Sequence, residues 1–246
     1  MNILSHIVKH KQQCSPLLAV LIDPNKQDAY TSLLPYLHEV NLIFVGGSTG
    51  QSIEPCIASI RQHTLAPIVL FPGNIAQFSP NADALLFLSL LNAHTADMLI
   101  TPHIQIAQQV IQSGIESIPM GYILIDGERK STVEIVSNCK PIPQSDINRI
   151  ISTALAGQLL GKQLIYLEAG SGAQKPISTD IIHAVHQRLQ VPLIVGGGIR
   201  TPQAMLQALQ AGADIVVIGN HFEQHPEQLP LFIHTLSNYE HNHSSR

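Results

Sequence analysis

The sequence predicts an α/β protein of the (β/α)8 TIM-barrel type, one domain spanning residues 1–246. Three observations carry that expectation. Eight short apolar runs recur along the chain, most of them followed by a helical pattern, and 246 residues suit one barrel of about 250. The runs are apolar at consecutive positions, as parallel strands buried on both faces require.

Taken in order, Ile3–Gln12 reads as an extra helix closing the bottom of the barrel. The first strand is LLAVLID (17–23), with a helix over 28–40; the second is LIFVGG (42–47), with a helix over 54–64. The third strand, PIVLFPG (67–73), leads into Asn74–Asp83, which holds Pro80 and is too short for an outer helix. The barrel is therefore expected to be modified, with the helix between strands three and four missing. ALLFLSLL (84–91) is the fourth strand, followed by a helix over 101–113. The fifth, PMGYILID (119–126), runs into a long polar insertion, Gly127–Gln144, before a helix over 146–160. QLIYLEAG (163–170) is the sixth strand; Ser178-Thr179-Asp180 then opens a helix over 178–189. PLIVGGG (192–198) is the seventh, and Thr201-Pro202 places proline at the first position of a helix over 201–211. DIVVIGN (214–220) is the eighth, with a helix over 226–236 and a flexible tail over 237–246.

Composition removes several function classes. The net charge is 13 − 17 = −4, with no basic excess to neutralise nucleic-acid phosphates. With 45% hydrophobic and 12% charged residues the chain is no disordered segment. The longest apolar run, Ala84–Leu91, is too short to span a bilayer, and the N-terminus lacks a signal peptide's apolar core. Cys14, Cys56 and Cys139 form no CxxC pair, which points to a reducing, cytoplasmic location. The thirteen histidines form no metal-binding motif, and Walker, nucleophile-elbow and dinucleotide signatures are lacking.

In a barrel, chemistry collects at the C-terminal ends of the strands. Strand one ends in Asp23, Pro24, Asn25 and Lys26, and strand two in Gly46-Gly47-Ser48-Thr49. Glycine-rich turns follow strands six (Ala169-Gly170-Ser171-Gly172), seven (Gly196-Gly197-Gly198) and eight (Gly219-Asn220). Three such turns at one end let bare N–H groups converge on a phosphate, although each alone could be only a tight turn. Because the chain is acidic, local N–H groups must hold that anion. Glu168 stands in the apolar strand end YLEAG, either as a rim residue bonding a loop or as a general base. Asp23 and Ser48 offer oxygens for magnesium if substrate phosphates complete the shell, though Asp-Pro also starts turns. Lys26 and Arg200 are either phosphate partners or solvated helix-start residues.

The motifs LLAVLIDPNK (17–26), FVGGSTG (44–50), PIVLFPGN (67–74), YLEAGSGA (166–173), VGGGIR (195–200) and VIGN (217–220) fall in an order spanning nearly the whole chain. In this the chain resembles the geranylgeranylglyceryl phosphate synthases and related polyprenylglyceryl phosphate synthases, themselves barrels with one outer helix replaced. The resemblance implies transfer of a prenyl group from geranylgeranyl diphosphate to the 3-hydroxyl of sn-glycerol 1-phosphate, with a heptaprenyl donor as rival. It implies Mg(2+) at Asp23 and Ser48. It also implies a glycerol phosphate pocket at Tyr166, Leu167, Glu168, Ala169, Gly170, Ser171, Gly172, Gly197, Gly198, Gly219 and Asn220. Glu168 would then be the catalytic base, and the ring of Tyr166 would steady positive charge on the allylic carbon. Two departures stand out: Asn25 replaces an aspartate often found there, and Leu21 a lysine carried by some members.

The gap left by the missing helix, with Phe71, Phe78 and Leu88, is the expected seat of the isoprenoid tail. Low charge and high apolarity favour a homo-oligomer, and a lipid product favours transient membrane contact without an anchor. Two other readings stay open. A sugar- or indole-phosphate isomerase or aldolase would want a lysine or paired acids at strand ends, and a phosphate-ligand sensor would keep the pocket without catalysis.

Overall fold

Eight parallel strands pair in sequence order and close on themselves. They are β1 (Leu17–Ile22), β2 (Leu42–Val45), β3 (Ile68–Leu70), β4 (Ala84–Leu90), β5 (Glu116–Leu124), β6 (Leu164–Glu168), β7 (Leu193–Gly196) and β8 (Ile215–Ile218). This is a TIM barrel, seen in a computed structural model that describes residues 2–47 and 53–243. The consecutive apolar runs have the predicted cause. Alternate residues face opposite ways: Leu17, Ala19, Phe44, Leu86 and Met120 fill the interior, while Leu18, Val20, Ile43, Leu85 and Ile123 pack outward.

β5 begins three residues earlier than expected, at Glu116, because Pro119 is accommodated inside the strand opposite Phe87. Proline lacks a donor, which is why it read as a boundary. Its carbonyl still accepts from Gln163 N at 2.8 Å.

The helices are α1 (Ile3–Gln12), α2 (Gln27–Leu33), α3 (Glu54–Arg61), α4 (Ala96–Leu99), α5 (Thr101–Ser113), α6 (Thr132–Ser137), α7 (Ile147–Leu159), α8 (Thr179–His186), α9 (Pro202–Gln210), α10 (Asn220–Gln224) and α11 (Leu229–His243). α1 closes the floor as predicted: Ile3 and Ile7 enter the interior cluster. The Glu116 carboxylate accepts from Ile3 N (2.6 Å) and Leu4 N (2.8 Å), placing negative charge where the helix dipole favours it. Between β3 and β4 there is only a 3-10 turn, Ile75–Gln77, capped by Asn74. β3 and β4 share two residue pairs, whereas β4 and β5 share seven.

One expectation is corrected. Residues 237–243 are helical, not a tail, since Tyr239 packs on the outer core and the Ser15 hydroxyl bonds Glu240. The polar insertion 127–144 has a short ordered element of its own. It contains α6, whose N-cap Ser131 Oγ accepts from Glu134 N at 3.1 Å.

Candidate active site

At the C-terminal end of the barrel, the turns after β6, β7 and β8 meet as one rim. Gly197 has φ +85° and touches the β6 turn so closely that a Cβ there would lie 2.5 Å from Glu168 Oε1 and 2.8 Å from Ala169 N and Gly170 N. Only glycine meets both demands. Side chains then tie the turns together. Asn220 Nδ2 donates to Ser171 Oγ at 2.8 Å. Lys26 pairs with Glu223 at 2.6 Å and reaches Asn220 Oδ1 at 3.4 Å. The Arg200 guanidinium donates to the carbonyls of Gly172, Ala173 and Gly198. Lys26 and Arg200 thus brace the rim as well as charging it, a combination the sequence left undecided.

Glu168, at the tip of β6, is 7% exposed. Its Oε1 accepts from Gly170 N at 2.7 Å, and Tyr166 bonds its carboxyl group. Burial pushes the carboxyl pKa above its ordinary value; the bonds from Tyr166 and Gly170 oppose that rise. Tyr166 is fully buried, its hydroxyl held well above the usual range first by burial and then by Glu168. Its ring lies 5.2 Å from Tyr122 and 5.7 Å from Phe71, giving an aromatic wall. Leu167 and Ala169 depart from expectation: both side chains face the outer core. The Ala169 N–H is engaged by Gly196 O at 3.0 Å, so neither residue presents a group to the cleft. Gly170 serves Glu168 through its N–H.

Asp23 lies across the mouth, just past the end of β1. A Cβ on Gly47 would meet Asp23 Oδ1 at 2.5 Å, so the two strand ends close tightly. Asn25 donates to Asp23 Oδ1 through its backbone N (3.0 Å) and its side chain (2.9 Å). The amide that replaces an aspartate here therefore holds the carboxylate by donation, which a second carboxylate could not do. Ser48, the other expected metal ligand, lies outside the described residues. Among the described residues, no three His, Cys, Asp or Glu side chains cluster as a metal cage. One carboxylate at the mouth of a glycine-rich cleft fits a magnesium ion that keeps waters and takes oxygens from a bound ligand.

A cavity of about 380 Å³ links these parts. It runs from Gly172, Gly198 and Asn220 past Glu168 and Tyr166 to an apolar trough beside β4, where Leu86, Leu88, Met98 and Ile106 line it. Phe71 and Leu88 border it as expected. Phe78 is not part of its lining and packs on the outer core. His103, its ring tilted against Phe87 with centroids 4.1 Å apart, closes part of the trough, and burial lowers its pKa. Tyr122, Met98 and His103 carry no motif. Only the apolar run of β5 could have drawn attention to Tyr122 and the amphipathic pattern of α5 to His103; Met98 lies on α4, too short to show a pattern.

The site can now be set beside known proteins. A model described as the PcrB family matches residues 9–236. The geranylgeranylglyceryl phosphate synthase of Zunongwangia profunda is 47% identical over 227 residues, 90% of this chain and 97% of that protein. The enzyme of that name from Spirosoma linguale is 44% identical over 218 residues, 86% of this chain and 88% of that one. Among solved structures, (S)-3-O-geranylgeranylglyceryl phosphate synthase from Thermoplasma acidophilum, in complex with substrate sn-glycerol-1-phosphate, superimposes with a TM-score of 0.88. It is 32% identical, with 97% of this chain and 99% of that one covered.

Proposed function

Because the chain belongs to the PcrB family, we propose that it is a prenyltransferase, joining sn-glycerol 1-phosphate to geranylgeranyl diphosphate through an ether bond. The observation that carries this is one cavity with a glycine-rich rim at one end, an apolar trough at the other and a buried carboxyl group between them. A small phosphorylated alcohol and a long hydrocarbon are the two halves such a cavity accepts.

The phosphate sits on the rim N–H groups, with the glycerol 3-hydroxyl directed at Glu168. The hydroxyl oxygen bonds the allylic C1 of the donor as the C1–O bond to diphosphate breaks, and the hydroxyl proton passes to the Glu168 carboxylate. Tyr166 and Gly170 hold that carboxylate in place. The Tyr166 ring, with Tyr122 and Phe71, presents π-faces to positive charge developing on C1. The trough takes the isoprenoid and excludes water from the carbon that would otherwise hydrolyse. Asp23, with Ser48, would hold magnesium, which would neutralise charge on the departing diphosphate.

Incubating the protein with labelled sn-glycerol 1-phosphate and geranylgeranyl or heptaprenyl diphosphate, with and without magnesium, tests this. Solvent-extractable labelled ether, formed best with the twenty-carbon donor, is expected. Asp23→Asn should raise the magnesium concentration needed for half-maximal rate by about tenfold; an unchanged requirement rejects the ligand assignment. Exposed Ile104 and Ile111 on one face of α5, with Leu159 and Leu160 at the end of α7, support self-association, which light scattering reads directly. Among the described residues no helix is long and apolar enough to cross a membrane. A long prenyl donor and its lipid product favour transient membrane contact from the cytoplasm.

A further inference from the structure

The insertion between β5 and α7 brings to the rim a residue that no motif marks. Its first turn is built firmly. Glu128 has φ +60°, the left-handed region a non-glycine residue avoids, and its N–H is held by Asp126 Oδ1 at 2.9 Å. The Gly127 carbonyl accepts from both Gln174 N (2.9 Å) and Lys175 N (3.1 Å), fastening the turn to the segment after β6. The turn sends Arg129 over the rim, where Nη1 donates to Gly172 O at 3.3 Å. Gly172 has φ +75°; a Cβ there would lie 3.3 Å from Arg129 Nη1 and 3.8 Å from Asn220 Nδ2. A guanidinium, an amide and a bare backbone therefore converge on one point.

The charge around that point is one-sided. A basin just outside the rim is lined by Lys26, Arg129, Lys130 and Arg200, with His221 and Asn220, and among the described residues no carboxylate borders it. Of the nearby acids, Glu128 pairs with Lys175 at 3.3 Å, whereas Glu223 pairs with the basin's own Lys26 at 2.6 Å, so the basin's excess of positive charge comes from Arg129, Lys130 and Arg200. On a chain of net charge −4 such a basin is a local arrangement, not a general field. Neutral N–H groups can cradle an anion, but a planar fork of charged donors answers a phosphate dianion more strongly.

We propose that Arg129 is a direct binding residue for the phosphate of the glycerol phosphate substrate, closing the rim from the β5 side. This rests on the functional reading above. The test titrates sn-glycerol 1-phosphate by calorimetry into the full-length wild type, Arg129→Ala and Arg129→Lys, without donor, at low and at moderate salt. Steady-state KM values for both substrates follow.

Arg129→Ala should weaken glycerol phosphate binding on the order of tenfold, and Arg129→Lys should recover part of the loss. The salt dependence of binding should flatten in Arg129→Ala, and the KM for geranylgeranyl diphosphate should stay within about twofold of wild type. A mere brace on Gly172 O would leave the salt dependence unchanged, and that result overturns the proposal. So does binding as tight as wild type in Arg129→Ala, or a rise confined to the donor KM. If the wild type binds glycerol phosphate yet forms no ether, the prenyltransferase reading falls while the role of Arg129 stands. If the wild type does not bind it, both fall.

Discussion

The rim over β6, β7 and β8 and the flank between β3 and β4 solve opposite problems with the same barrel. At the rim, three short turns are laced by Asn220–Ser171, Lys26–Glu223 and the Arg200 bonds, and Gly197 lets one turn rest on another. Such a surface has fixed donors and almost no give, as recognition of a small anion demands. At the flank, a helix is absent, β3 is three residues long, and the walls are aliphatic and aromatic side chains without a fixed donor array. That surface is suited to a hydrocarbon chain, which would be held by area rather than by direction. Rigidity and compliance thus stand on either side of Glu168, and the proposed chemistry falls where they meet.

The contrast can be broken first at its centre. Glu168→Gln should lower turnover by on the order of 10²–10⁴ with both substrates still bound; a near-normal rate in a single-turnover assay rules out proton transfer to Glu168. Next comes the rigid side. Gly197→Ala should raise the KM for glycerol phosphate tenfold or more and cost about 1–3 kcal/mol of stability by denaturant unfolding. An unaffected KM would mean that the rim does not hold the phosphate. On the compliant side, Leu88→Ala should raise the KM for the prenyl donor several-fold and leave that for glycerol phosphate alone. Equal effects on both substrates would erase the division between the two regions.

The smallest effect is on pH. Glu168 must be ionised to accept a proton, and burial raises its pKa, so kcat/KM should fall with acidification through a point above the usual carboxylate range. Tyr166→Phe removes a bond that favours the carboxylate, so that acid limb should move to higher pH. A shift to lower pH would show that Tyr166 bonds the protonated form instead.

The two regions also differ in how plainly the sequence announces them. The strands are legible because both faces are buried, and the missing helix is legible because Asn74–Asp83 is too short to hold one. The rim is legible because glycine is the residue that permits backbone crowding. The flank is only half legible: Phe71 and Leu88 line it, but Phe78 turns into the outer core, and Met98 and His103 arrive from helices whose pattern does not say which side faces a cavity. α4, α6 and α10 are too short for any periodicity; α6 starts on a local Ser131 cap, while α4 and α10 have no side-chain cap. Arg129 was hidden as well, since its position depends on a turn after β5 meeting a loop after β6. The end of α11 was missed because polar residues surround Tyr239 and Glu240, whose anchoring contacts lie more than two hundred residues away in sequence at Ser15 and on the outer core.

A hoop of eight staves is no stronger than its weakest joint. Here Val69 and Leu70 meet Ala84 and Leu85 across two rungs, with no helix strapped outside. Backbone amides guarded by so short a ladder open at the least free energy, so deuterium would enter the ring there before anywhere else in its circumference. A hydrocarbon lodged against that joint would slow the entry, making isotope uptake at β3 a direct gauge of tail occupancy.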